Sequence, residues 1–171
     1  MTESVLVVGD LVTDVVAVAP RQPELGTDVP AEVSFTGGGS AANTAAWLVH
    51  AGRPATLVAS IGDDTAGEQR LAELSHAGVR CAVVRHPAAT GTVVVIASGG
   101  ERSMLVDRGA NALLAPGDVD RALRGAPGGV HLHLSGYPLF DERTRAAGRH
   151  ALAAARAAGL RTSVDAASAG P

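Results

Sequence analysis

Lysine is missing from all 171 residues, so the 14 basic side chains are all arginines. That absence excludes a Walker-type phosphate loop, which needs a lysine on the terminal phosphates, and it excludes Schiff-base chemistry. Cysteine occurs once, at Cys81 in the apolar run Cys81 to Val84, which rules out an intramolecular disulfide and a cysteine-built zinc site. Such cysteine usage fits a reducing cytoplasm. Aromatic residues make up 2% of the chain, and the 14 basic and 17 acidic residues are scattered without a basic block. Nucleic acid is therefore not an expected partner, because base stacking and phosphate contact both lack their side chains. Long apolar runs are absent too: the run behind Met1-Thr2-Glu3-Ser4 breaks at Gly9-Asp10, too early for a signal peptide or a membrane span. The expectation is a soluble, cytoplasmic protein with no membrane partner.

What the chain does contain is 46% apolar residues and 21 glycines, enough to bury a core as one compact domain. With so few aromatics that core must be built from Val, Leu, Ile and Ala, the composition of parallel sheets buried on both faces. Short β-branched runs at Val5 to Val8, Ala55 to Ile61, Arg80 to Arg85, Val130 to Leu134 and Leu160 to Val164 read as strands. Between them lie helical stretches from Ala41 to Ala51, Thr65 to Ala77, Gly117 to Leu123 and Asp141 to Ala158, with glycine stops at Gly52, Gly78 and Gly159. This alternation predicts an α/β fold with crossover helices. Extended pieces at Val15 to Val18 and Glu32 to Phe35, and a hairpin from Thr92 to Val106 turning at Gly99-Gly100, interrupt it and predict a small second sheet. Gly37-Gly38-Gly39 is expected to break the Glu32 strand, with Ser40 capping the next helix.

The pattern Gly37-x-Gly39-x-x-Ala42 matches a dinucleotide-binding turn, with Asp63 as the ribose acid. It stands in the wrong βα unit for one, and Asp63 reads equally well as a helix cap. The longer string Gly37-Gly38-Gly39-Ser40-Ala41-Ala42-Asn43, followed by Gly52 and by Gly62-Asp63-Asp64-x-x-Gly67, resembles the N-terminal signature of the ribokinase-like (PfkB) carbohydrate kinases. Gly9-Asp10 to Asp14, the hairpin after Thr90-Gly91, and Gly109-Ala110-Asn111-Ala112 extend the resemblance over nearly the whole chain.

The resemblance implies a three-layer αβα core with a β-hairpin lid, the lid pieces lying near residues 12–36 and 91–108. Residues 1–171 then form a single incomplete domain whose C-terminal part is missing, since the sequence stops at Ala166 to Pro171 just after a predicted strand. It implies sugar binding by Asp14, Gly38, Gly39, Asn43 and Arg108. The chemistry suits those residue types. A sugar needs directed donors and acceptors for its hydroxyls in a site that excludes water. Glycines let backbone N–H groups come close, Asn43 offers a donor and an acceptor, and Asp14 accepts two hydroxyls. The plainer readings are a solvated loop carboxylate for Asp14, a helix-start residue bonding its own turn for Asn43, and an exposed strand-end side chain for Arg108. Were Arg108 to face the sugar, it could pair with an acidic one.

The intact family enzyme is expected to use ATP and Mg2+ to phosphorylate a sugar hydroxyl. Neither the Asp-Thr-x-Gly-Ala-Gly-Asp type of motif nor Asn-x-x-Glu occurs here, so no catalytic or metal residue is assigned and turnover by this chain alone is not expected. The alternatives are a non-catalytic sugar-binding or partner-binding fragment and a dinucleotide-binding domain. Self-association through the lid or an open sheet edge is a further expectation. His131 and His133 should share one sheet face without a third metal ligand, and Tyr137 closes that strand where ligands collect. Ribose, fructose, a nucleoside and a keto-deoxy sugar acid all stay open, because Val12 stands where some members carry a polar sugar contact.

Overall fold

The computed structural model of the protein describes residues 3–126 and 128–166. Its first half runs β1 (Ser4–Val8), β2 (Val12–Val18), β3 (Glu32–Gly38), α1 (Ser40–His50), β4 (Ala55–Gly62), α2 (Thr65–His76), β5 (Arg80–His86), β6 (Gly91–Ser98) and β7 (Glu101–Asp107). A 3-10 turn (Gly109–Leu113) leads into α3 (Pro116–Gly125), β8 (Gly129–Leu134), α4 (Tyr137–Phe140), α5 (Glu142–Ala157) and β9 (Arg161–Val164). The segment Ala167 to Pro171, on which the reading of a missing C-terminal part leans, lies outside the described residues.

The main sheet is parallel throughout, in the order β5-β4-β1-β8-β9. Alternate residues of β1 feed two cores. Leu6 and Val8 pack with Leu132, Leu134 and the small residues Ala147, Ala151 and Ala155 of α5, while Val7 packs with Leu57, Ile61 and the alanines of α1. Helices thus cover the sheet on both faces, the expected three layers. Alanine at the buried positions of α1 and α5 lets each helix lie close to the strands, which is how a core with so few aromatics fills its volume. The outward connections from β1 and from β8 go to opposite faces, so the crevice at their C-terminal ends is the topological switch point.

The second sheet, β3-β2-β6-β7, stands over that crevice as a lid. Its hairpin turns on Gly99 and Gly100 at φ of 59° and 82°, the paired positive values of a primed turn. One expectation needs correction. β3 does not end at Phe35 but runs through Gly37 and Gly38, which pair with Thr13 and Val12, and only Gly39, at φ 101°, breaks the strand. Ser40 is the first residue of α1 and makes no capping bond; Gly39 occupies the cap position.

The Gly-Asp-Asp-x-x-Gly turn is a structural lock between core and lid. Asp64, not Asp63, caps α2 by accepting from Gly67 N–H (2.8 Å), and it also accepts from the Thr90 N–H (2.7 Å) and hydroxyl (2.6 Å). Thr90 Oγ1 in turn accepts from Gly62 N–H at 3.0 Å. A Cβ on Gly62 would sit 2.4 Å from the Ala88 carbonyl, and one on Gly67 2.6 Å from that of Gly62, so both positions require glycine. Burial opposes ionisation of Asp64, but the bonds from Thr90 and Gly67 outweigh it and hold the carboxyl below its usual value of 3.8. The stabilisation is therefore present above that value and is lost as the pH falls below it. Asp64→Ala should cost on the order of 2 kcal/mol and lower the melting temperature by roughly 4–8 °C. Thermal unfolding followed by circular dichroism checks this, and an unchanged transition would contradict the lock.

Candidate functional site

The lid and the C-terminal ends of β1 and β8 enclose a cleft of about 330 Å³, lined among others by Asp10, Asp14, Gly39, Asn43, Arg108 and Tyr137. That is the lower end of the size range of small-molecule sites. Four of the five residues expected from sequence are thereby brought to one cavity. The fifth, Gly38, is buried beside it, where a Cβ would stand 2.3 Å from the Asp14 carboxylate; glycine there is what lets Asp14 turn inward. Gly39 makes a similar allowance for backbone: a Cβ would lie 2.3 Å from the Asp10 carbonyl, in a conformation that L side chains rarely adopt.

Asp14 is half-buried on β2, and Asn43 is exposed one turn into α1. Neither side chain hydrogen-bonds another described residue, so the acceptor and donor capacity of both stays open to the cleft. Burial pushes the Asp14 carboxyl above its usual value, and the positive charge of Arg70 pulls it part of the way back.

Arg108 is not the exposed strand-end side chain of the plainer reading. Its Nη2 donates to Asp10 Oδ1 (2.7 Å) and its Nη1 to Asp141 Oδ2 (2.9 Å) and Thr144 Oγ1 (3.3 Å), with 14% of the side chain exposed. One guanidinium thus ties the end of the lid to the end of β1 and the N-terminus of α5. Burial pushes Asp10 upward against the pull of Arg108, whereas the hydrogen bonds from Arg143, aided by Arg108, hold Asp141 far below the usual carboxylate range. Asn111 adds a second tie: Leu11 N–H donates to its Oδ1, and its Nδ2 donates to Leu11 O, both at 2.9 Å. Sequence reasoning passed over Asp10 and Asp141. The available signal for Asp10 was an acid directly after a buried parallel strand, where sheets of this kind gather their ligands.

The two strand histidines do share a face. His131 Nε2 and His133 Nδ1 both meet Ser163 Oγ, at 2.8 and 2.9 Å, in a shallow groove beside α1 that is separate from the lid cleft. Tyr137, at the start of α4, lies in the cleft wall.

The family model described as pfkB family carbohydrate kinase matches residues 2–169. The chain belongs to this family. Ribokinase from Mus musculus is 30% identical over 123 residues, covering 70% of this chain and 38% of that protein. An ATP-dependent ribose-1-phosphate kinase from Halopiger xanaduensis is 38% identical over 104 residues, covering 58% of this chain and 34% of its own. Among solved structures, fructokinase from Halothermothrix orenii superposes with a TM-score of 0.82 at 23% identity, over 95% of this chain and 56% of that one. Ribokinase from Giardia lamblia gives 0.76 at 21%, over 96% and 50%. The structural likenesses carry the fold, and the family match displaces the dinucleotide-binding alternative. Geometry agrees with that, since Gly37 and Gly38 lie in an antiparallel lid strand and not in the turn after the first buried strand. The chain spans between 34% and 38% of the length of these two relatives and about half of the solved kinases.

Proposed function

We propose that the protein of which these residues form part phosphorylates a sugar hydroxyl with the γ-phosphoryl of ATP, and that residues 1–171 supply the sugar-binding half. The observation that carries this reading is the convergence of Asp14, Gly39 and Asn43 on one lidded cleft, with the side chains of Asp14 and Asn43 making no hydrogen bond to another described residue. Asp14 accepts two sugar hydroxyls, Asn43 contributes one donor and one acceptor, and the backbone at Gly38 and Gly39 approaches the ring where no Cβ intervenes. Closure of the lid over the sugar excludes water and so strengthens each of those bonds.

Arg108 belongs to the same wall, but Asp10 and Asp141 already compensate its charge. That favours a neutral sugar at this point of the site over an acidic one; a sugar acid would look instead to Arg102, which lines the cleft from β7. The residues present do not fit Mg2+–ATP by themselves. Among the described residues no three His, Cys, Asp or Glu side chains gather where they could share a metal, and the chain has no lysine for a phosphate. Both ATP and Mg2+ are assigned to the complete enzyme, with the base and the phosphate site outside this stretch.

Calorimetric titration with ribose, fructose, a nucleoside and a keto-deoxy sugar acid tests the reading, which expects saturable binding of a neutral member and fails if none binds. The row Phe35, Val15, Val94 and Leu105 across the outer lid face, with Phe35 70% and Leu105 65% exposed, supports self-association through the lid. The edge position of β9 offers a second route. Sedimentation that stays monomeric at every concentration would remove both.

A further inference from the structure

Gly37 and Gly38 are thin for two different reasons. A Cβ on Gly37 would come within 2.9 Å of Glu73 Oε2 and 3.8 Å of Arg70 Cδ, whereas a Cβ on Gly38 would run first into the Asp14 carboxylate, at 2.3–2.4 Å. Successive strand residues face opposite ways. At Gly37-Gly38, β3 is therefore a wall of bare backbone with the α2 pair Arg70–Glu73 against one side and Asp14 against the other.

Arg70 is the odd member of that arrangement. It is a charged residue on the buried stripe of α2, between Gly67 and Leu74, and is 5% exposed. Its Nη2 donates to Glu73 Oε1 at 2.6 Å, while Nε and Nη1 are buried without a hydrogen-bond partner among the described residues. Burying a guanidinium and leaving two of its nitrogens unmatched is costly, and Glu73, whose side chain is 53% exposed, is a weak counter-charge because water screens it. Asp14, whose carboxylate lies against Gly38, carries a negative charge that the Arg70 charge reaches. We propose that Arg70 is a positioning residue of the sugar site, which acts on Asp14 across the side-chain-free wall and keeps that carboxylate charged when a bound sugar displaces its water.

The other charged groups around Asp14 do not supply this. Asp10 and Arg108, from the end of β1 and the end of the lid, are engaged with each other, and Arg102 on β7 is exposed. The first turn of α1 brings only Ser40 and Asn43, which carry no charge. Burial and Arg70 pull Asp14 in opposite directions, consistent with the assigned role. The affinity part of this inference rests on the sugar-binding reading; the titration part does not.

The test is a carbon-detected NMR titration of the Asp14 carboxyl in the wild type, Arg70→Lys and Arg70→Met, with sugar titrations at two pH values beside it. Arg70→Met should move the Asp14 midpoint up by about one pH unit, while Arg70→Lys keeps it near the wild-type value. Sugar affinity in Arg70→Met should drop below the raised midpoint and recover above it. A folded Arg70→Met protein with an unmoved midpoint overturns the proposal and leaves Arg70 a packing residue. Should Arg70→Met fail to fold, Glu73→Gln decides: freeing Arg70 from its partner should lower the Asp14 midpoint, and no movement would overturn the proposal. A wild type that binds no sugar but still shows these midpoint shifts refutes the sugar-binding reading and keeps the Arg70–Asp14 coupling.

Discussion

Asp14→Ala and Asn43→Ala should each remain folded and lose sugar affinity, Asp14→Ala by about two orders of magnitude and Asn43→Ala by about one. The difference follows from charge and burial. Asp14 is the half-buried carboxyl of the proposed site, and its removal would leave two sugar hydroxyls without a partner under the lid. Asn43 is exposed, so water replaces part of what it offers. Neither side chain hydrogen-bonds another described residue, so a melting temperature close to wild type should accompany the loss. Isothermal calorimetry on the two variants reads the effect directly. Unchanged affinity in both would remove Asp14 and Asn43 from the site.

Arg108→Met should produce the largest loss of stability, about 3 kcal/mol. Arg108 holds Asp10 and Asp141 together from the lid end; Asp141 keeps its bonds from Arg143, so the methionine variant leaves Asp10 as the carboxylate without a cation. Asp10 takes most of the cost because it is the more deeply buried of the two. Its carboxyl already lies above the usual value, and loss of Arg108 takes it higher, so the deficit has a definite pH dependence. A group whose folded-state pKa is raised favours the fold below its unfolded value and loses that contribution as the pH rises through the folded one. Urea unfolding of Arg108→Met should therefore show a smaller deficit near pH 5 than near pH 8, and Asp10→Asn added to it should flatten the difference. A deficit equal at both pH values would mean that Asp10 is not the group left stranded.

Much of the scaffold is legible in the chain because parallel strands buried on both faces leave apolar runs such as Val5 to Val8 and Ala55 to Ile61, both closed by a glycine. Gly99-Gly100 announces its hairpin for an equally local reason, the positive φ of both residues. What escapes local reading is whatever depends on distance in the chain. Gly37 and Gly38 look like a strand break, but their pairing with Thr13 and Val12 keeps them in β3. The Arg108 clamp joins residues 98 and 33 positions apart, and no periodicity connects them. Arg70 shares the buried stripe of α2 with Gly67 and Leu74, but an arginine is a residue type expected at the surface, and its packing beside Gly37 of the lid is not visible along the chain. The candidate site follows the same division. Its glycines and Asn43 announce themselves in one short string, whereas Asp10, Asp141 and Arg70 become visible only when the two sheets are set against each other.

The most direct measurement is an amide NMR map of this chain titrated with the neutral sugars. Binding in the lidded cleft should shift the resonances of Asp14, Gly38, Gly39 and Asn43 together, with one common dissociation constant, and leave Asp14→Ala unresponsive. Shifts gathered instead on His131, His133 and Ser163 in the groove beside α1, or none at saturating sugar, would contradict the assignment of the lidded cleft as the sugar site.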